Sequence, residues 1–533
     1  MLQLKNRLAK LKHIRIGINP KKRKPVFIPP VPPLAIPRGF TIVDRQSLYE
    51  PFAHAVIVQN PATGEYKYIL DELHLDTFER EIYNKILEVL LAEIHSPREE
   101  IESAREFFDT EAKKIVDKYR ISLGWLPDVS WSKILYHAER DLVGFGPIDA
   151  LMRDPDIEDI SCDGVGKPVF VWHRKYENLE TNMTFKTDED VDNLIVKLVH
   201  MSGKHVSTAF PIVDASLPGK HRLAVCYRRE ITPFGTTFTI RKFREDPYSI
   251  IDLINMGTLS EDIAAYFWTL LENRSSIMIL GGTGSGKTTT LNALACLIRP
   301  GSKILTIEET AELNLSHENW VSLISRQSYG LGAHHTGEVE LFDLVKASMR
   351  HRPDYLIVGE IRGSEAYVLF QALATGHGGM CTMHAESIDT AVKRLTQKPM
   401  DISPAYIPLM NVIAVVHRVH LPKSGELKAT RRVTSVDEIV DFEDYRNAFE
   451  WEPIGDKFKS SIENSVILPN ISKHSGLTVQ ELLEEVSRRR NVLVWMRKHN
   501  IRSYRDVAAI ITEYYSRPKE FYTKKVQKFV SVR

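Results

Sequence analysis

The sequence predicts an α/β protein of two or three domains, whose second half is built on a parallel sheet. At 533 residues the chain is too long for a single hydrophobic core. From about residue 250 onward, short apolar segments typical of buried strands alternate with helical segments, as they do in parallel sheets. One such segment, residues 276–280, leads directly into a glycine-rich loop and then into a helix.

Residues 1–40 form a basic, proline-rich N-terminal arm. Ten lysines and arginines precede Asp44, the first acidic residue of the chain. Leu4, Leu8 and Leu11 would share one stripe of a helix, so the arm could lie on an anionic membrane or on a partner. A disordered tail that only aids solubility explains the same composition.

Residues 41–140 are predicted to be a mostly helical N-terminal region. Phe78, Ile82 and Ile86 recur on one helical face, and a second helix is indicated between residues 101 and 119. A cluster of glycine and proline just after this region then marks a boundary.

Residues 141–245 are predicted to be a small α+β domain. Strand-like segments at 168–172 and 237–240 flank a helical segment at 191–199. The remaining domain, residues 250–533, would hold the parallel sheet and end in further helices.

Composition excludes several classes of protein. The four cysteines lie far apart with no C-x-x-C pair, which excludes a zinc ribbon and provides no disulfide framework. A net charge of +1 argues against a protein that coats nucleic acid. No apolar run is long enough to span a bilayer, and the basic N-terminus lacks the apolar core of a secretory signal. We therefore expect a cytoplasmic protein with no nucleic-acid partner.

The glycine-rich loop has the pattern of a phosphate-binding loop for a nucleoside triphosphate. Four glycines allow successive backbone N–H groups to turn inward around phosphate oxygens, and the following helix adds its positive N-terminal end. Lys287 can reach the β- and γ-phosphates, and the Thr288 hydroxyl can ligate Mg²⁺. The residues predicted to bind the nucleotide are Gly281, Gly282, Thr283, Gly284, Ser285, Gly286, Lys287, Thr288 and Thr289.

Two further apolar strands end in carboxylates. The first is followed by Glu308, Glu309 and Glu312, and the second by Glu360. Because ligands of open parallel sheets bind beyond the carboxyl ends of the strands, these acids should emerge beside the loop. A carboxylate there can hold Mg²⁺ or orient the attacking water. We predict Thr288, Glu308 and Glu360 as metal ligands, although Glu309 is an alternative to Glu308.

A third segment, residues 374–384, carries His377 and His384 among glycines. Glycines allow a close backbone approach, and a histidine could sense or polarise the γ-phosphate. Each of these acids and histidines has an ordinary alternative as a solvated side chain. Together, and in this order behind a phosphate-binding loop, they favour nucleotide hydrolysis.

Taken as a set, these motifs resemble the secretion-ATPase superfamily, whose members drive type II and type IV secretion, type IV pilus assembly and the archaellum. Its acidic box is similar to residues 308–312, its Walker B box to 352–362 and its histidine box to 374–384. The resemblance is specific from about residue 140 to residue 400 and leaves out the first 40 residues.

The resemblance implies a RecA-like ATPase domain, preceded by a PAS-like α+β domain and a helical N-terminal region. It also implies ATP and Mg²⁺ as nucleotide and metal, and a homo-oligomer that is a hexamer. The chain is most similar to the archaeal branch, since it lacks the tetracysteine zinc module usual in bacterial type II secretion members.

Hydrolysis also needs positive charge on the γ-phosphate, which a well-placed arginine supplies. By the same resemblance, the domain before the loop would supply it, first from Arg241 and then from Arg222. Solvated strand arginines are the alternative for both residues. Weaker candidates, either in that domain or beside the Walker B strand, are Arg228, Arg229, Arg350, Arg352 and Arg362.

These residues lead to the hypothesis of a peripheral membrane ATPase that drives assembly or rotation of an archaeal surface filament. It would act on a polytopic membrane platform protein, and the N-terminal arm would contact anionic lipid. A ring ATPase that translocates nucleic acid is the first alternative. A nucleotide-gated scaffold with little turnover is the second. The sequence leaves open whether the filament is an archaellum, a pilus or a secretion pseudopilus.

Overall fold

A computed structural model of the protein describes residues 36–93, 113–114, 118, 128–244, 246–326, 338–423 and 426–527. The chain divides between Phe243 and Arg244 into two compact units. Most of the predicted basic arm, residues 1–35, lies outside the described residues. So do nearly all residues of the second helix predicted between 101 and 119.

The first unit is built on a nine-stranded sheet in the order β1-β2-β3-β6-β5-β4-β9-β8-β7. Neighbouring strands are antiparallel except β3 and β6, which run parallel. The strands are β1 (Thr41–Tyr49), β2 (Ala53–Gln59), β3 (Tyr66–Glu72), β4 (Ile157–Cys162), β5 (Pro168–His173), β6 (Glu177–Thr184), β7 (Ile212–Ser216), β8 (Arg222–Cys226) and β9 (Thr237–Arg241). Its described α-helices are α1 (Thr77–Glu93), α2 (Asp128–Leu142), α3 (Asp149–Arg153) and α4 (Asp188–Met201).

The prediction of a mostly helical region at residues 41–140 is wrong for its first third, which forms the strands β1 to β3. Strand β2 is buried along most of its length and contains the run Val56, Ile57 and Val58, whose β-branched side chains suit a pleated sheet. A tight turn at Asn60–Gly64 returns the chain into β3, with Gly64 at φ 74°. Because β3 then pairs with β6, these strands belong to the same sheet as the predicted α+β domain.

Helix α4 contains the helical segment predicted at residues 191–199 and covers this sheet. Thr187 accepts a hydrogen bond from the Asp190 amide, and the Asp190 carboxylate accepts one from the Thr187 amide. This capping box begins the helix, whose buried residues Val191, Ile195 and Leu198 pack into the core of the unit.

The second unit is built on another nine-stranded sheet, in the order β12-β11-β13-β14-β10-β15-β16-β17-β18. The six strands from β12 to β15 in that order are parallel, which confirms the predicted parallel sheet. The strands are β10 (Ile277–Leu280), β11 (Ile304–Glu308), β12 (Trp320–Ile324), β13 (Tyr355–Val358), β14 (Gly378–Met383), β15 (Val412–Lys423), β16 (Glu426–Asp441), β17 (Asp444–Glu452) and β18 (Lys457–Ser460).

Helices cover both faces of the parallel part, so strands β10, β13 and β14 are buried along their whole length. The described α-helices are α5 (Ile250–Asn255), α6 (Glu261–Glu272), α7 (Lys287–Ala295), α8 (Leu341–Ser348), α9 (Glu365–Ala374), α10 (Ile388–Thr396), α11 (Ile467–Ser475), α12 (Val479–Lys498), α13 (Tyr504–Ser516) and α14 (Pro518–Phe521). Among the described residues, no helix combines the length and apolar character needed to cross a bilayer.

The antiparallel part, from β15 to β18, extends the parallel sheet on one side and was not predicted. Strand β15 begins as a buried parallel strand beside β10. It also pairs with β16 along its whole length, from Val412 to Lys423, and the resulting hairpin passes the glycine-rich loop at Val416.

Replacing Tyr68 by Phe should loosen β3 within the first unit. The buried Tyr68 hydroxyl lies 2.8 Å from the buried Asp154 carboxylate, so its loss leaves that carboxylate short of a partner at a cost of about 1–3 kcal/mol. The measurement is hydrogen exchange of the β2 and β3 amides. Tyr66→Phe, on the same strand but only half-buried, is the control and should change exchange little. Equal exchange rates in both variants would show that the hydrogen bond between Tyr68 and Asp154 does not stabilise β3.

Candidate functional site

The glycine-rich loop joins the buried strand β10 to helix α7, as the sequence predicts. Gly281 leaves no room for a side chain, because an added Cβ would lie 2.3 Å from the Val416 carbonyl oxygen. Gly286 has φ 94°, a left-handed conformation that favours glycine, directly before the first residue of α7. The Ser285 hydroxyl is buried and has no hydrogen-bond partner among the described residues. The loop is thus a cradle with a spare buried donor, which fits a phosphate group.

Lys287 lies at the base of this cradle and is only 7% exposed. Its Nζ donates a hydrogen bond to the Gly282 carbonyl oxygen at 2.9 Å and lies 3.3 Å from Nδ1 of His384. Burial lowers the pKa of Lys287, an effect that the nearby Glu360 carboxylate opposes. An anion bound in the loop would offset the cost of removing the Lys287 charge from water.

The acid at the end of β11 stabilises the turn that follows it. Glu308 is 3% exposed, and its Oε1 accepts the backbone N–H groups of Glu312 and Leu313 at 2.9 Å each. Its Cγ lies so close to Gly359 that a Cβ there would be 3.1 Å away. Glu308 therefore shapes the acidic segment and lies against the end of the neighbouring strand β13. Glu309, by contrast, is about half exposed, and its carboxylate lies 3.5 Å from the Arg362 guanidinium.

Glu360, just beyond β13, links the acidic segment to the lysine. Its Oε2 accepts a hydrogen bond from Arg362 at 2.7 Å, and its Oε1 lies 3.3 Å from Nε2 of His384. The side chains of Lys287, His384, Glu360 and Arg362 therefore form one continuous chain of contacts. Of these, Arg362 was only a weaker candidate in the sequence, yet it contacts both Glu360 and Glu309.

His384 is the histidine of the predicted pair that lies in this site. Burial and the positive charge of Lys287 lower the pKa of its ring, while the Glu360 carboxylate opposes them. The lowered pKa favours the neutral ring, which can donate one hydrogen bond and accept another.

The placement of His377 in the same site is wrong. The two histidines flank strand β14, which crosses the sheet. Gly378 at its start pairs with Tyr355, the first residue of β13, whereas Met383 at its end pairs with Leu280 beside the loop. His377 thus lies at the opposite edge, about 20 Å away along the strand. Its Nδ1 contacts the Thr375 hydroxyl at 3.0 Å, near the end of helix α9.

The two favoured arginines lie in the first unit. Arg222 on β8 and Arg241 on β9 are directly opposite each other in the sheet. Arg222 pairs with Asp214 at 2.7 Å and Arg241 with Asp159 at 3.1 Å. Both are substantially exposed, at 40% and 63% of their side-chain surface. Their predicted role in catalysis stays a prediction.

Arg431, on β16, contacts the loop and was missed in the sequence. Its Nε donates a hydrogen bond to the Gly284 carbonyl oxygen at 3.1 Å. The two residues are 147 positions apart, and no motif or spacing links them. Only the return of the β15–β16 hairpin brings Arg431 to the loop.

The oxygen atoms at this edge suit a hard divalent cation. Mg²⁺ is usually held by one or two carboxylates together with phosphate oxygens and water. The Thr288 hydroxyl and the carboxylates of Glu308 and Glu360 have this chemistry. Within the ranges that the structure describes, no group of three or more His, Cys, Asp or Glu side chains is arranged to hold a metal ion. The oxygen atoms of Thr288, Glu308 and Glu360 are of the kind that hold Mg²⁺ together with the phosphate oxygens of a nucleotide.

Comparison with known proteins gives consistent matches. A family model described as "Type II/IV secretion system protein" matches residues 142–435. A protein of Methanocaldococcus jannaschii described as uncharacterized is 32% identical, over 97% of this chain and 98% of its own length. The conjugal transfer protein TrbB of Rhizobium radiobacter is also 32% identical, over 48% of this chain and 75% of its own length.

Among solved structures, the X-ray structure of the ATPase DotB of Legionella pneumophila matches at 18% sequence identity with a TM-score of 0.38. That match covers 72% of this chain and 95% of the other.

The contact chain makes a prediction about the pKa of the His384 ring. Glu360→Gln removes a negative charge that raises this pKa, so the pKa should fall further. Lys287→Met removes a positive charge that lowers it, so the pKa should rise. The measurement is an NMR titration of the ring resonances, assigned with His384→Asn. A pKa that moves in neither variant would show that the three side chains are not neighbours in solution.

Proposed function

The chain belongs to the type II/IV secretion system protein family, and we propose that it is an ATPase that hydrolyses ATP in the Gly281–Thr288 loop with Mg²⁺. The observation that carries this proposal is the contact chain from Lys287 through His384 to Glu360, at the carboxyl edge of the parallel sheet. Phosphoryl transfer to water uses a phosphate-binding lysine and a residue that orients the attacking water, and here His384 connects Lys287 to the Glu360 carboxylate.

The residues of the loop would bind and orient the triphosphate. The inward amides of the loop and the N-terminus of α7 would hold the phosphate oxygens. Lys287 Nζ, which now donates to the Gly282 carbonyl, would turn to the β- and γ-phosphates. The Thr288 hydroxyl and the carboxylates of Glu308 and Glu360 would hold Mg²⁺, which neutralises charge as the terminal phosphate leaves.

Glu360 would orient the attacking water and accept its proton. To do so it must release Arg362, whose guanidinium can then turn towards the developing negative charge. His384 contacts both Glu360 and Lys287, and so would hold the carboxylate in register with the bound phosphate.

Replacing Lys287 or Glu360 should impair hydrolysis in two different ways. Lys287→Ala should abolish ATP hydrolysis, since it removes the cation on the transferred phosphate. Glu360→Gln should lower kcat by about 10²-fold or more while nucleotide still binds. Phosphate release under single-turnover conditions measures both, with Lys393→Ala on the exposed face of α10 as the control. Turnover that survives Lys287→Ala would refute the site, and a wild type that binds ATP without releasing phosphate would support a nucleotide-gated scaffold.

The first unit would supply the positive charge that hydrolysis needs on the γ-phosphate, from Arg241 first and from Arg222 second. The protein would act as a homohexameric ring. A correctly placed arginine of this kind contributes about 10³–10⁵ in rate. Arg241→Gln should therefore lower kcat much more than Arg229→Gln, an equally exposed arginine that also pairs with an aspartate. Equal kcat values for the two variants, measured under saturating ATP, would remove Arg241 from the mechanism.

We propose that this hydrolysis powers an archaeal type IV pilus-like filament or secretion motor. The relative from Methanocaldococcus jannaschii, an archaeon, matches 97% of this chain and 98% of its own length. The description of the family names secretion systems. The motor would act from the cytoplasmic side on a polytopic membrane platform protein, with the basic residues of the arm on anionic lipid. A nucleic-acid translocase is the second candidate, because TrbB of Rhizobium radiobacter, which matches 48% of this chain, is named a conjugal transfer protein.

Stimulation of ATP hydrolysis distinguishes these two outputs. Vesicles containing anionic lipid should raise the steady-state rate, because the arm carries basic residues and no acid before Asp44. Neutral vesicles are the control. Single-stranded DNA should leave the rate unchanged, and strong activation by DNA without activation by lipid would favour the translocase.

A further inference from the structure

The β15–β16 hairpin lies against the phosphate-binding loop at both of the loop's ends. Leu280, the last residue of β10, pairs with Val415 on β15. The next residue of β15, Val416, places its carbonyl oxygen so close to Gly281 that a Cβ there would be 2.3 Å away. At the other end of the loop, the Arg431 Cδ lies 3.0 Å from the position of a Cβ on Gly286. The first and last glycines of the loop thus contact the same hairpin.

The hairpin directs two neighbouring arginines to opposite faces. Arg432 is 1% exposed and forms an ion pair with Asp456 at 2.7 Å, so it belongs to the core of the antiparallel strands. Arg431 is exposed and turns to the other face, where its Nε donates to the Gly284 carbonyl. The alternation of the strand therefore separates a structural arginine from one that contacts the loop.

A bulge at the base of the hairpin determines which residue reaches the loop. Val415 pairs with Ser435, but Val416 pairs with Val433, so Thr434 is the extra residue on β16. The Thr434 hydroxyl lies 2.9 Å from Nδ1 of His417 across the hairpin. Without this extra residue the following pairs would move by one position, and Arg431 would lie on the other face.

The cross-strand neighbour of Arg431 is also a cation. Arg418 is directly opposite Arg431, and directly opposed residues of an antiparallel pair share one face. Two like charges in that position repel each other. In the part of the chain that the structure describes, the Arg431 guanidinium forms no ion pair, and its hydrogen bond goes to the Gly284 carbonyl oxygen of the loop.

We propose that Arg431 is a positioning residue for the phosphate-binding loop, and this inference rests on the proposed function in that the loop binds a nucleotide. Its charge-assisted hydrogen bond holds the Gly284 carbonyl outward, which leaves the amides of the loop turned toward the phosphates. The guanidinium also adds positive charge beside the polyphosphate. Arg431 thereby acts on nucleotide affinity through the loop, rather than on the bond that is cleaved.

The test measures the affinity of the full chain for ADP, by titration calorimetry, in three variants. Arg431→Gln should weaken binding about tenfold, the effect of losing one hydrogen bond from a charged donor. Arg431→Lys keeps the charge but not the Nε donor, so it should also weaken binding. Arg418→Gln, which removes the opposite cation of the same hairpin face, should change the affinity by less than about threefold.

Melting temperatures without nucleotide act as the control for folding and should equal that of the wild type. If Arg431→Gln fails to fold, Arg431→Lys carries the same test. Wild-type affinity in Arg431→Lys would show that charge alone suffices and would overturn the proposed role of the hydrogen bond. Equal losses in Arg418→Gln and Arg431→Gln would overturn it as well, in favour of general electrostatic attraction.

Steady-state kinetics add a second measurement, the separate effects on KM and kcat, which a purely structural role of Arg431 would not divide in this way. Arg431→Gln should raise KM for ATP with a smaller effect on kcat, whereas a loss confined to kcat would contradict a role in positioning. If the wild type binds ADP but never hydrolyses ATP, the proposed function fails while the affinity test of Arg431 still stands.

Discussion

The parallel register of β10, β11, β13 and β14 is the constraint on which the candidate site depends. Parallel strands place all their carboxyl ends at one edge, so the residue that follows each strand meets the residues that follow its neighbours. Here these are Lys287 after the loop of β10, Glu308 at the end of β11, Glu360 after β13 and His384 after β14. A chain with the same motifs in an antiparallel sheet would scatter them between two edges.

Burial determines what these groups can do once they are together. A lysine that is 7% exposed bears a desolvation cost, and its hydrogen-bond partners are the Gly282 carbonyl oxygen and the His384 ring. A phosphate group would supply the anion that this surrounding lacks. Partial desolvation and the charge of Lys287 likewise lower the pKa of the His384 ring, so the neutral ring that contacts Glu360 is favoured.

Local motifs predicted this edge of the sheet well, because each motif is a strand with its following residues. The same reasoning was wrong for His377, since a motif that spans a whole strand has its two ends at opposite edges. It undervalued Arg362, whose importance comes from two carboxylates brought in by different strands. It missed Arg431 altogether, because a hairpin far along the sequence returns that residue to the loop. The strands at residues 41–72 were missed because their pairing with β6 is likewise long-range.

The most direct measurement of the central claim is a structure of the protein with a non-cleavable ATP analogue and Mg²⁺. We expect the phosphates within the loop of residues 281–288, with Lys287 Nζ moved from the Gly282 carbonyl to a phosphate oxygen. Glu360 should then face the terminal phosphate, with Arg362 detached from it. An analogue bound elsewhere, or one bound in the loop with Lys287 and Glu360 still in their present contacts, would contradict the account.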